Sequence, residues 1–578
     1  MKLHWSVAHS HSHRISPLVH ELGLHPLTVQ CLANRGYFEP TAVKAFLEPR
    51  LRLLSDPFRL PQVARAVERL FQAWDRSESC VVFGDYDVDG VTSTALLVST
   101  LSRLGWKVGH YLPRRHDEGY GLTRSALEAC MERTPMTLLL AVDCGSTSNE
   151  LITWLQEEGV DVIVLDHHQV SSPPPPAHAL INPQLDQSDL PHGRELCSVG
   201  IVFKLVHALL KHGRHLNLPA FASLDLKNCL DLVALGTIAD LVPLTGENRI
   251  LVDVGLKRLD ATSLPGLVAL KEVAQTRSPI GSYEVGFQLA PRLNAAGRLE
   301  TAEAALELLL APDLETALPL AKALDAKNRE RQEIERTMAE TALEIVRRNF
   351  DPDRDIVLVE ASKDWHLGVV GIVASRVARE FHRPTFILGR DATGWRGSGR
   401  SIAGFDLAAA LRDCNDLLTR HGGHAMAAGV SLPVDQLDAF RSRLNEVARK
   451  KLPPSGLIPE LRLDGITRLA ELTVDHVQEL FRLAPFGSHN PSVQIVIPQV
   501  RMARPPQRMG KEQRHWKFWI SDGGLPVETV WWGSGQENPP IGVFDAAVVP
   551  ELDHYGGRTS VKLRLLDWRP SLPDNSTN

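Results

Sequence analysis

Val81-Val-Phe-Gly-Asp-Tyr-Asp-Val-Asp-Gly90 is the most informative stretch of the sequence. Its apolar run ends in three aspartates spaced by two, Asp85, Asp87 and Asp89, and an Ala/Leu/Thr-rich run that predicts a helix follows. A strand that carries clustered carboxylates at its carboxyl end is typical of an α/β active site, where such groups commonly hold divalent metal. Taken alone, the cluster is equally compatible with a solvated acidic turn.

Two further apolar runs end in polar residues in the same way. Residues 136–142 precede Asp143, and residues 160–165 precede Asp166-His-His168. Strands separated by helix-length segments predict βαβ units and a parallel sheet, in which all carboxyl ends lie on one edge. The side chains that we expect to converge at this edge are Asp85, Asp87, Asp143, Asp166, His167 and His168.

Asp240 is a further candidate for the same pocket, because the run from Asp231 to Asp240 is largely apolar between its two aspartates. A buried helix-terminal aspartate paired locally is the alternative. Several carboxylates with one or two imidazoles suit Mn²⁺ or Mg²⁺ better than thiolate-favouring metals. Two ions could share the site, and a paired-metal centre activates a water and neutralises both oxygens in phosphoryl transfer.

Arginines and glycines downstream predict contacts with an anionic substrate. Residues 290–298 place two arginines and an asparagine around a predicted glycine turn, with a solvated helix cap as the alternative. In a second α/β unit, residues 396–401 predict a loop and residues 422–429 predict a glycine loop that opens a helix, an arrangement that binds anions. Close helix packing would explain these glycines equally well. The candidate contacts are Arg292, Asn294, Arg298, Ser375, Arg376, Ser398, Arg400, Gly422, Gly423 and His424.

Composition places the chain among ordinary globular proteins. Its 578 residues predict several domains. A net charge of -6 is no nucleic-acid signature, although a local basic groove remains compatible with it. The seven cysteines form no C-x-x-C pair, which argues against a zinc ribbon and a disulfide framework and favours a reducing compartment. The N-terminus shows no apolar signal region, and no apolar run reaches the length of a membrane span, so we expect a cytoplasmic protein.

Five segments are predicted. They are a helical lead-in (1–75), an α/β catalytic domain with a parallel sheet (76–313), a long linking helix (314–350), a second, smaller α/β domain that binds substrate (351–454) and a β-barrel of the oligonucleotide-binding (OB) type (455–578). In the last segment, Trp alternates with Arg, Lys and His, as in barrels that bind single strands. Alternatively, strand alternation divides Trp516, Trp519, Trp531 and Trp532 between core and surface.

Several motifs together resemble the DHH phosphoesterase superfamily and, specifically, its bacterial RecJ exonuclease family. The motifs are Gly84-Asp-Tyr-Asp-Val-Asp-Gly90, Val142-Asp143-Cys-Gly, Asp166-His-His168, Leu235-Gly-Thr-Ile-Ala-Asp-Leu-Val-Pro243, Arg292-Leu-Asn-Ala-Ala-Gly-Arg298, Gly422-Gly-His424, and Ala484-Pro-Phe-Gly487 with Asn490-Pro491. The resemblance implies a Mn²⁺- or Mg²⁺-dependent exonuclease that degrades single-stranded DNA from its 5′ end to mononucleotides in recombination and repair. It also implies two partners, a RecQ-type helicase and a single-stranded-DNA-binding protein, and no membrane.

Roles follow from the resemblance residue by residue. The implied metal ligands are Asp85, Asp87, Asp143, His167 and Asp240, and the implied phosphate or terminal-nucleotide contacts are Arg115, Arg292, Arg376, Arg400 and His424. Asp166 and His168 would support the ligands or contact the scissile phosphate. Whether His167 or His168 binds metal, and whether Asp89 is a ligand or orders the loop, stays open.

Two other functions share the metal motifs. A small-substrate DHH enzyme, acting on pyrophosphate, short oligonucleotides or cyclic dinucleotides, should not need the barrel and the linking helix. A non-catalytic DHH scaffold of replication would bind DNA without cutting it, but such a protein should have lost carboxylates that this sequence retains.

Overall fold

The computed structural model describes residues 3–114, 118, 121–186, 193–299, 301–535 and 537–571. Arg115 therefore lies outside the described residues. Within the described ranges, the strands form one two-stranded, two five-stranded and one seven-stranded sheet. No helix in these ranges is both long and apolar enough to cross a membrane.

The first domain has the predicted parallel sheet. The chain runs through β1 (His4–Val7), α1 (Ser12–Leu22), α2 (Pro26–Asn34), α3 (Pro40–Leu47), α4 (Val63–Asp75), β2 (Ser79–Phe83), α5 (Val88–Arg103), β3 (Lys107–Tyr111), α6 (Arg124–Arg133), β4 (Leu138–Val142), α7 (Asn149–Glu157), β5 (Asp161–Leu165) and β6 (Ala179–Ile181). The strand order β3-β2-β4-β5-β6 is parallel throughout. Because β2, β4 and β5 are neighbours, the three segments that follow them emerge side by side.

Helices cover the sheet and lead into the linking helix. They are α8 (Ser198–His215), α9 (Pro219–Ser223), α10 (Leu230–Ala239), α11 (Gly246–Asp260), α12 (Pro265–Ala274), α13 (Ser282–Glu284) with a π-helical turn (Val285–Leu289), α14 (Ala290–Leu299), α15 (Glu303–Leu310) and α16 (Leu314–Asn349). The predicted glycine turn at 290–298 is wrong, since these residues lie in α14. Gly297 serves close packing instead, because a Cβ there would lie 2.7 Å from the carbonyl oxygen of Tyr86.

The second α/β domain corrects two further predictions. It comprises β7 (Leu358–Ala361), α17 (Val370–Phe381), β8 (Thr385–Arg390), β9 (Trp395–Arg400), α18 (Leu407–Arg412), β10 (Arg420–Gly423), β11 (Ala427–Leu432) and α19 (Leu437–Lys451). The predicted loop at 396–401 is strand β9, and the glycines at 422–429 form a β-hairpin rather than a helix start. The glycines allow close strand packing, since a Cβ at Gly397 would lie 2.2 Å from the carbonyl oxygen of Ile387.

The C-terminal part is the predicted OB-type barrel. It contains β12 (Glu460–Leu463), β13 (Gly465–Ile466), α20 (Val474–Phe481), β14 (Ile495–Met502), β15 (Gln507–Met509), β16 (His515–Ser521), β17 (Val527–Trp531), β18 (Phe544–Tyr555) and β19 (Arg558–Pro570). Seven of these strands form one sheet in the order β13-β14-β18-β19-β17-β16-β15, and an additional pairing of β14 with β16 closes it.

The helical lead-in and the C-terminal barrel segment pack against each other and share one apolar core. Strand β1 pairs in parallel with β12. Leu32 and Phe46 of the lead-in lie in the same apolar core as Val477 of α20 and Phe518 of the barrel. Burial of these side chains stabilises the lead-in by roughly 1.5–3 kcal/mol for each large residue. The lead-in therefore depends on the barrel for its core, while the segment boundaries given above stay a prediction.

Arg249 of α11 joins the catalytic domain to the lead-in and the barrel segment. Its fully buried guanidinium donates hydrogen bonds to the carbonyl oxygens of Phe46 (2.8 Å), Leu483 (2.9 Å), Arg482 (3.2 Å) and Ala484 (2.7 Å). It also lies 3.7 Å above the Phe46 ring. Burial lowers the pKa of Arg249 to about 10, so the group remains charged at neutral pH. One side chain thus holds the lead-in, the barrel and the catalytic domain together.

Candidate metal centre

The aspartate loop is a tight connection between β2 and α5. The Asp87 carboxylate caps α5, because its Oδ1 accepts the backbone N–H groups of Asp89 (2.9 Å) and Gly90 (3.2 Å). A Cβ at position 90 would lie 2.6 Å from the carbonyl oxygen of Asp85, so only glycine lets the chain fold back so closely. This geometry buries Asp85 at the carboxyl end of the sheet.

The predicted side chains converge in two groups that share one residue. One oxygen each of Asp85, Asp87 and Asp143 lies within 4.8 Å of the others, and ligand atoms of Asp143, His167 and His168 do so as well. Asp143 adopts a left-handed backbone conformation (φ 63°), which costs free energy in a residue other than glycine. Asp143 belongs to both groups and would help to hold the cations if the site binds two of them.

Asp240 and His167 lie next to each other and to Asp143. His167 Nε2 lies 3.5 Å from Asp240 Oδ2 and 3.6 Å from Asp143 Oδ1. Among the described residues, the buried His167 Nε2 and Asp240 Oδ2 have no hydrogen-bond partner. Since buried polar atoms are almost always satisfied in native proteins, a cation between these oxygen and nitrogen atoms fits the donor set.

Asp166 supports His168 rather than a cation. Its Oδ1 accepts hydrogen bonds from the ring Nδ1 (2.7 Å) and the backbone N–H (3.1 Å) of His168, and its Oδ2 accepts the N–H of Ser146 (3.1 Å). Burial alone would raise the pKa of Asp166, but the bonds from His168 and Ser146 lower it to about 2. It is His167 Nε2 that lies near both Asp143 and Asp240 without a hydrogen-bond partner among the described residues, so the geometry favours His167 as the imidazole ligand.

Asp89 anchors a neighbouring helix. Both of its carboxylate oxygens accept backbone N–H groups at the start of α8, from Ser198 (2.7 Å) and Val199 (2.9 Å). Burial, followed by the charge of Asp87, raises the pKa of Asp89 to about 7. The geometry therefore favours an ordering role for Asp89, although one of its oxygens lies within 4.8 Å of ligand atoms of Cys197 and Asp240.

Two supporting residues have no recognisable signal in the sequence. Ser198 Oγ donates a hydrogen bond to Asp143 Oδ1 (2.8 Å). The fully buried Asn182, which follows β6, donates to the carbonyl oxygen of His168 (2.8 Å) and to Ser146 Oγ (2.9 Å). Asn182 thereby fixes the turn that carries both histidines, a role that an asparagine after an edge strand does not reveal.

The protein without metal stores electrostatic repulsion at this site. Burial, followed by the charges of neighbouring aspartates, raises the pKa of Asp143 well above its usual range and that of Asp240 to about 9. Burial also lowers the pKa of His167 to about 4, so its ring is neutral at pH 7 and can act as a ligand. Divalent cations would offset the clustered negative charge.

We expect the stability of the metal-free protein to fall as the pH rises from about 5 to 9. The folded-state pKa of Asp240 is about 9, whereas an unfolded aspartate titrates near 4. In this window the folded state retains a proton that the unfolded chain has released, so the stabilisation present at low pH is lost on the way to pH 9. Thermal unfolding in a chelator at several pH values measures the effect.

Mn²⁺ should raise the unfolding midpoint more at pH 9 than at pH 5, because the cations compete with protons. The matched control is Asp240→Asn, which cannot release this proton and should flatten the pH dependence. An unchanged pH dependence in Asp240→Asn would argue against the repulsion at this site.

The second domain reaches the metal centre through its hairpin. The ring of His424, between β10 and β11, stacks near that of His168, with centroids 6.3 Å apart and planes 20° apart. Arg298 of α14 donates to the carbonyl oxygen of Gly368, which precedes α17, at 3.5 Å. The centre therefore lies in a cleft between the two α/β domains.

Ser398 and Arg400 of β9 lie together beside the first turn of α17. Arg400 Nη1 donates to Ser398 Oγ (2.6 Å), and a Cβ at Gly371 would lie 2.8 Å from Arg400 Nη2. Ser375 Oγ donates to the carbonyl oxygen of Gly371 within the helix, and Arg376 is exposed on the next position. A guanidinium at the positive end of a helix suits an anion.

The other predicted contacts are more dispersed. Arg292 Nε donates to Asp325 of the linking helix at 2.9 Å, which holds the guanidinium against the scaffold. Asn294 lies on α14, as Arg292 does, and is half-buried. Gly422 and Gly423 are exposed on the hairpin. The structure thus brings together the carboxylates and imidazoles, and it groups only some of the anion contacts around them.

Three known families match consecutive parts of the chain. The DHH family, N-terminal domain, matches residues 79–237, the DHHA1 domain matches residues 355–450, and the RecJ OB domain matches residues 463–567. The metal centre lies on the first of these, the hairpin with His424 on the second and the barrel on the third.

Curated relatives and solved structures resemble the chain over most of its length. The single-stranded-DNA-specific exonuclease RecJ of Escherichia coli (strain K12) is 38% identical, covering 93% of this chain and 95% of the relative. That of Bacillus subtilis (strain 168) is 36% identical, covering 93% of this chain and 66% of the relative. The crystal structure of RecJ in complex with Mn²⁺ from Thermus thermophilus superposes with a TM-score of 0.84 at 31% identity, covering 99% of this chain and 80% of that one.

Proposed function

The chain belongs to the RecJ family of single-stranded-DNA-specific exonucleases, and from this membership and its site geometry we infer that it hydrolyses phosphodiester bonds in single-stranded DNA with Mn²⁺ or Mg²⁺ as cofactor. We further propose that it acts from the 5′ end, releases 5′-mononucleotides and serves recombination and repair. The observation that carries the inference is the pair of ligand groups sharing Asp143 within a cleft.

The cations would be held by carboxylates and one imidazole. The proposed ligands are Asp85, Asp87, Asp143, His167 and Asp240. When bound, such ions supply an activated water and neutralise charge on the reacting phosphate. Ser198 keeps the Asp143 carboxylate in place through its hydroxyl, and Asp89 fixes the start of the helix that carries Ser198.

Two histidines are proposed to position the scissile phosphate. Asp166 and Asn182 hold His168 from both sides, so its ring can direct Nε2 toward the substrate without rearranging. His424 approaches the same place from the second domain. Substrate held between them would be contacted by the catalytic domain on one side and by the hairpin on the other.

Anion contacts in the second domain are proposed to bind the phosphate of the terminal nucleotide. Ser398, Arg400 and the first turn of α17 supply a hydroxyl, a guanidinium and the positive end of a helix. The remaining predicted contacts, Arg115, Arg292, Asn294, Arg298, Ser375, Arg376, Gly422 and Gly423, stay predictions.

The barrel is proposed to hold the strand farther from the cleft. Arg508 lies 4.0 Å above the Trp516 ring, and Arg504 lies 5.1 Å above that of Trp519. Trp531 is buried in the core, whereas its neighbour Trp532 is exposed. Guanidinium groups next to the half-buried indoles, together with the exposed Trp532, provide charge and a stacking surface of the kind that unpaired nucleotides require.

Neither alternative function is favoured. Exonucleases of known specificity align with more than nine-tenths of this chain, including the barrel that a small-substrate enzyme should not need. The carboxylates that a non-catalytic scaffold should have lost are present and converge. We propose a cytoplasmic location, where DNA is accessible, and a RecQ-type helicase and a single-stranded-DNA-binding protein as partners that supply and expose the strand.

Strands labelled at one end test polarity, strand preference and cofactor together. With Mn²⁺, a 5′-labelled single strand should release labelled mononucleotide in the first turnovers, while a 3′-labelled strand should shorten progressively. A blunt duplex should resist, and a chelator should stop both reactions. Early release of the 3′ label, or internal cuts, would contradict the proposed polarity.

A further inference from the structure

Two aromatic side chains lie exposed on the helix that leads into the cleft. Tyr283 is 62% and Phe287 71% exposed, and their rings stack with centroids 5.0 Å apart and planes 29° apart. Large aromatic side chains stabilise a fold when they are buried, so two rings that remain exposed to water contribute little to the stability of this one. A flat, accessible pair of rings is instead suited to receiving another planar group.

The pair lies on a helical face that leads to the cleft. The helix is continuous from Ser282 to Leu299 through α13, the π-helical turn and α14. Its exposed and half-buried face consists of Tyr283, Phe287, Pro291, Asn294 and Arg298, spaced by three or four residues. The opposite face, with Val285, Leu289 and Leu293, is buried in the catalytic core.

The inner end of this face contacts both domains of the cleft. Gly297 packs on the carbonyl of Tyr86 in the aspartate loop, and Arg298 donates to the carbonyl of Gly368 in the second domain. Phe287 lies ten residues before Gly297, or roughly 15 Å along the helix. The ring pair therefore lies roughly 15 Å along the helix from the point where the helix contacts the aspartate loop, a distance that a strand of a few nucleotides can span.

The backbone around Phe287 is also unusual. Val285–Leu289 form a π-helical turn, a rare element that often occurs at functional sites. A Cβ at Gly286 would meet no atom within 4 Å, so the surface next to the rings is open. The carbonyl oxygen of Gln288 accepts a hydrogen bond from Arg292, which uses one acceptor of the turn.

We propose that Tyr283 and Phe287 form a base-stacking platform for the single strand outside the metal centre. The proposal deepens the proposed function and rests on it. Stacking on aromatic rings tolerates any base and requires a base whose face is accessible, which a paired and stacked duplex does not offer. The platform would thus favour unpaired DNA without reading its sequence.

A nucleic acid fits this surface better than a protein partner. The face continues into Asn294 and Arg298, whose polar groups suit a phosphate backbone. Two aromatic side chains offer about 150–250 Å² each, far below the roughly 1,000 Å² expected of a specific protein interface. If the rings bound a protein instead, the double variant would keep the wild-type KM and the wild-type binding of long strands.

The test compares the full chain carrying Tyr283→Ala and Phe287→Ala with the wild type, in Mn²⁺. On strands of about 20 nucleotides we expect KM to rise at least tenfold with kcat unchanged, as the loss of stacking on one or two bases predicts. On dinucleotides both constants should be unchanged. Phe287→Trp should retain the wild-type KM, whereas Phe287→Leu, which keeps apolar bulk without a flat face, should not.

The matched control is Leu216→Ala, since Leu216 is 49% exposed and follows the end of α8 opposite to Ser198, outside the proposed strand-binding surfaces. Fluorescence anisotropy of a labelled strand reports binding independently of cleavage, so a wild type that binds but does not cut would contradict the proposed function and leave the platform testable. Unchanged KM and unchanged binding of long strands by the double variant would overturn the platform. Loss of binding with Phe287→Trp equal to that with Phe287→Leu would overturn stacking as its cause.

Discussion

Asp143→Asn is expected to abolish nuclease activity while leaving the fold and strand binding intact. Asp143 belongs to both ligand groups, so removing its charge weakens the hold on both cations. A loss of at least about a thousandfold in turnover, equivalent to ~4 kcal/mol of transition-state stabilisation, is expected.

The asparagine variant removes the negative charge of Asp143 and leaves its hydrogen bond and backbone conformation in place. Its amide oxygen can still accept the hydrogen bond from Ser198, and asparagine tolerates the left-handed conformation at this position better than most residues. Removing one buried like charge should raise the unfolding midpoint in chelator. Asp438→Asn, an exposed aspartate on α19, is the control and should retain full activity. A turnover number within tenfold of the wild type would show that Asp143 is not a metal ligand in this reaction.

Arg249→Met is expected to destabilise the protein by at least about 3 kcal/mol. The substitution leaves the carbonyls of Phe46, Arg482 and Ala484 without the hydrogen bond from Arg249, and each buried unsatisfied group costs roughly 1–3 kcal/mol. Since these carbonyls belong to the lead-in and the barrel, both should loosen from the catalytic domain. Chemical denaturation and limited proteolysis near residues 482–484 measure the two effects.

Lys257→Met on the same helix is the control, because Lys257 is exposed and pairs only with Asp253 among the described residues. Arg249→Met should lose more activity on long strands than on dinucleotides, because the barrel is no longer held in a fixed position relative to the metal centre. A change in the free energy of unfolding below about 1 kcal/mol, the size of a single ordinary hydrogen bond, would show that Arg249 does not hold the junction.

The positions of the carboxylates could be predicted because one rule governs them. Parallel strands end on one edge, so Asp85, Asp143 and the Asp166-His-His168 turn had to meet. Asp240 is different, since it follows a helix: the apolar run before it made it only a candidate with a local pairing as the alternative, and its role as a ligand came from the motif resemblance. The sequence could not choose between His167 and His168, because the choice depends on which ring nitrogen lies near both Asp143 and Asp240.

Glycine-rich segments were misread for a physical reason. Glycine permits both an anion-binding loop and two backbones in close contact, and the residues at 397 and 297 serve the second purpose. The hydrogen-bond partners of Asp89, Asn182 and Arg249 could not be predicted from the sequence either, because each side chain contacts backbone atoms that are distant in sequence. Such contacts depend on tertiary packing, which periodicity and spacing do not encode.

Anomalous X-ray scattering from crystals of the protein grown with Mn²⁺ tests the metal centre most directly. We expect two adjacent peaks that share Asp143, one next to His167 Nε2 and Asp240 Oδ2 and the other next to Asp85 and Asp87. In crystals of Asp143→Asn both peaks should weaken or vanish. Peaks at other residues, or none in a protein that still degrades single-stranded DNA with Mn²⁺, would contradict a metal centre built from these side chains.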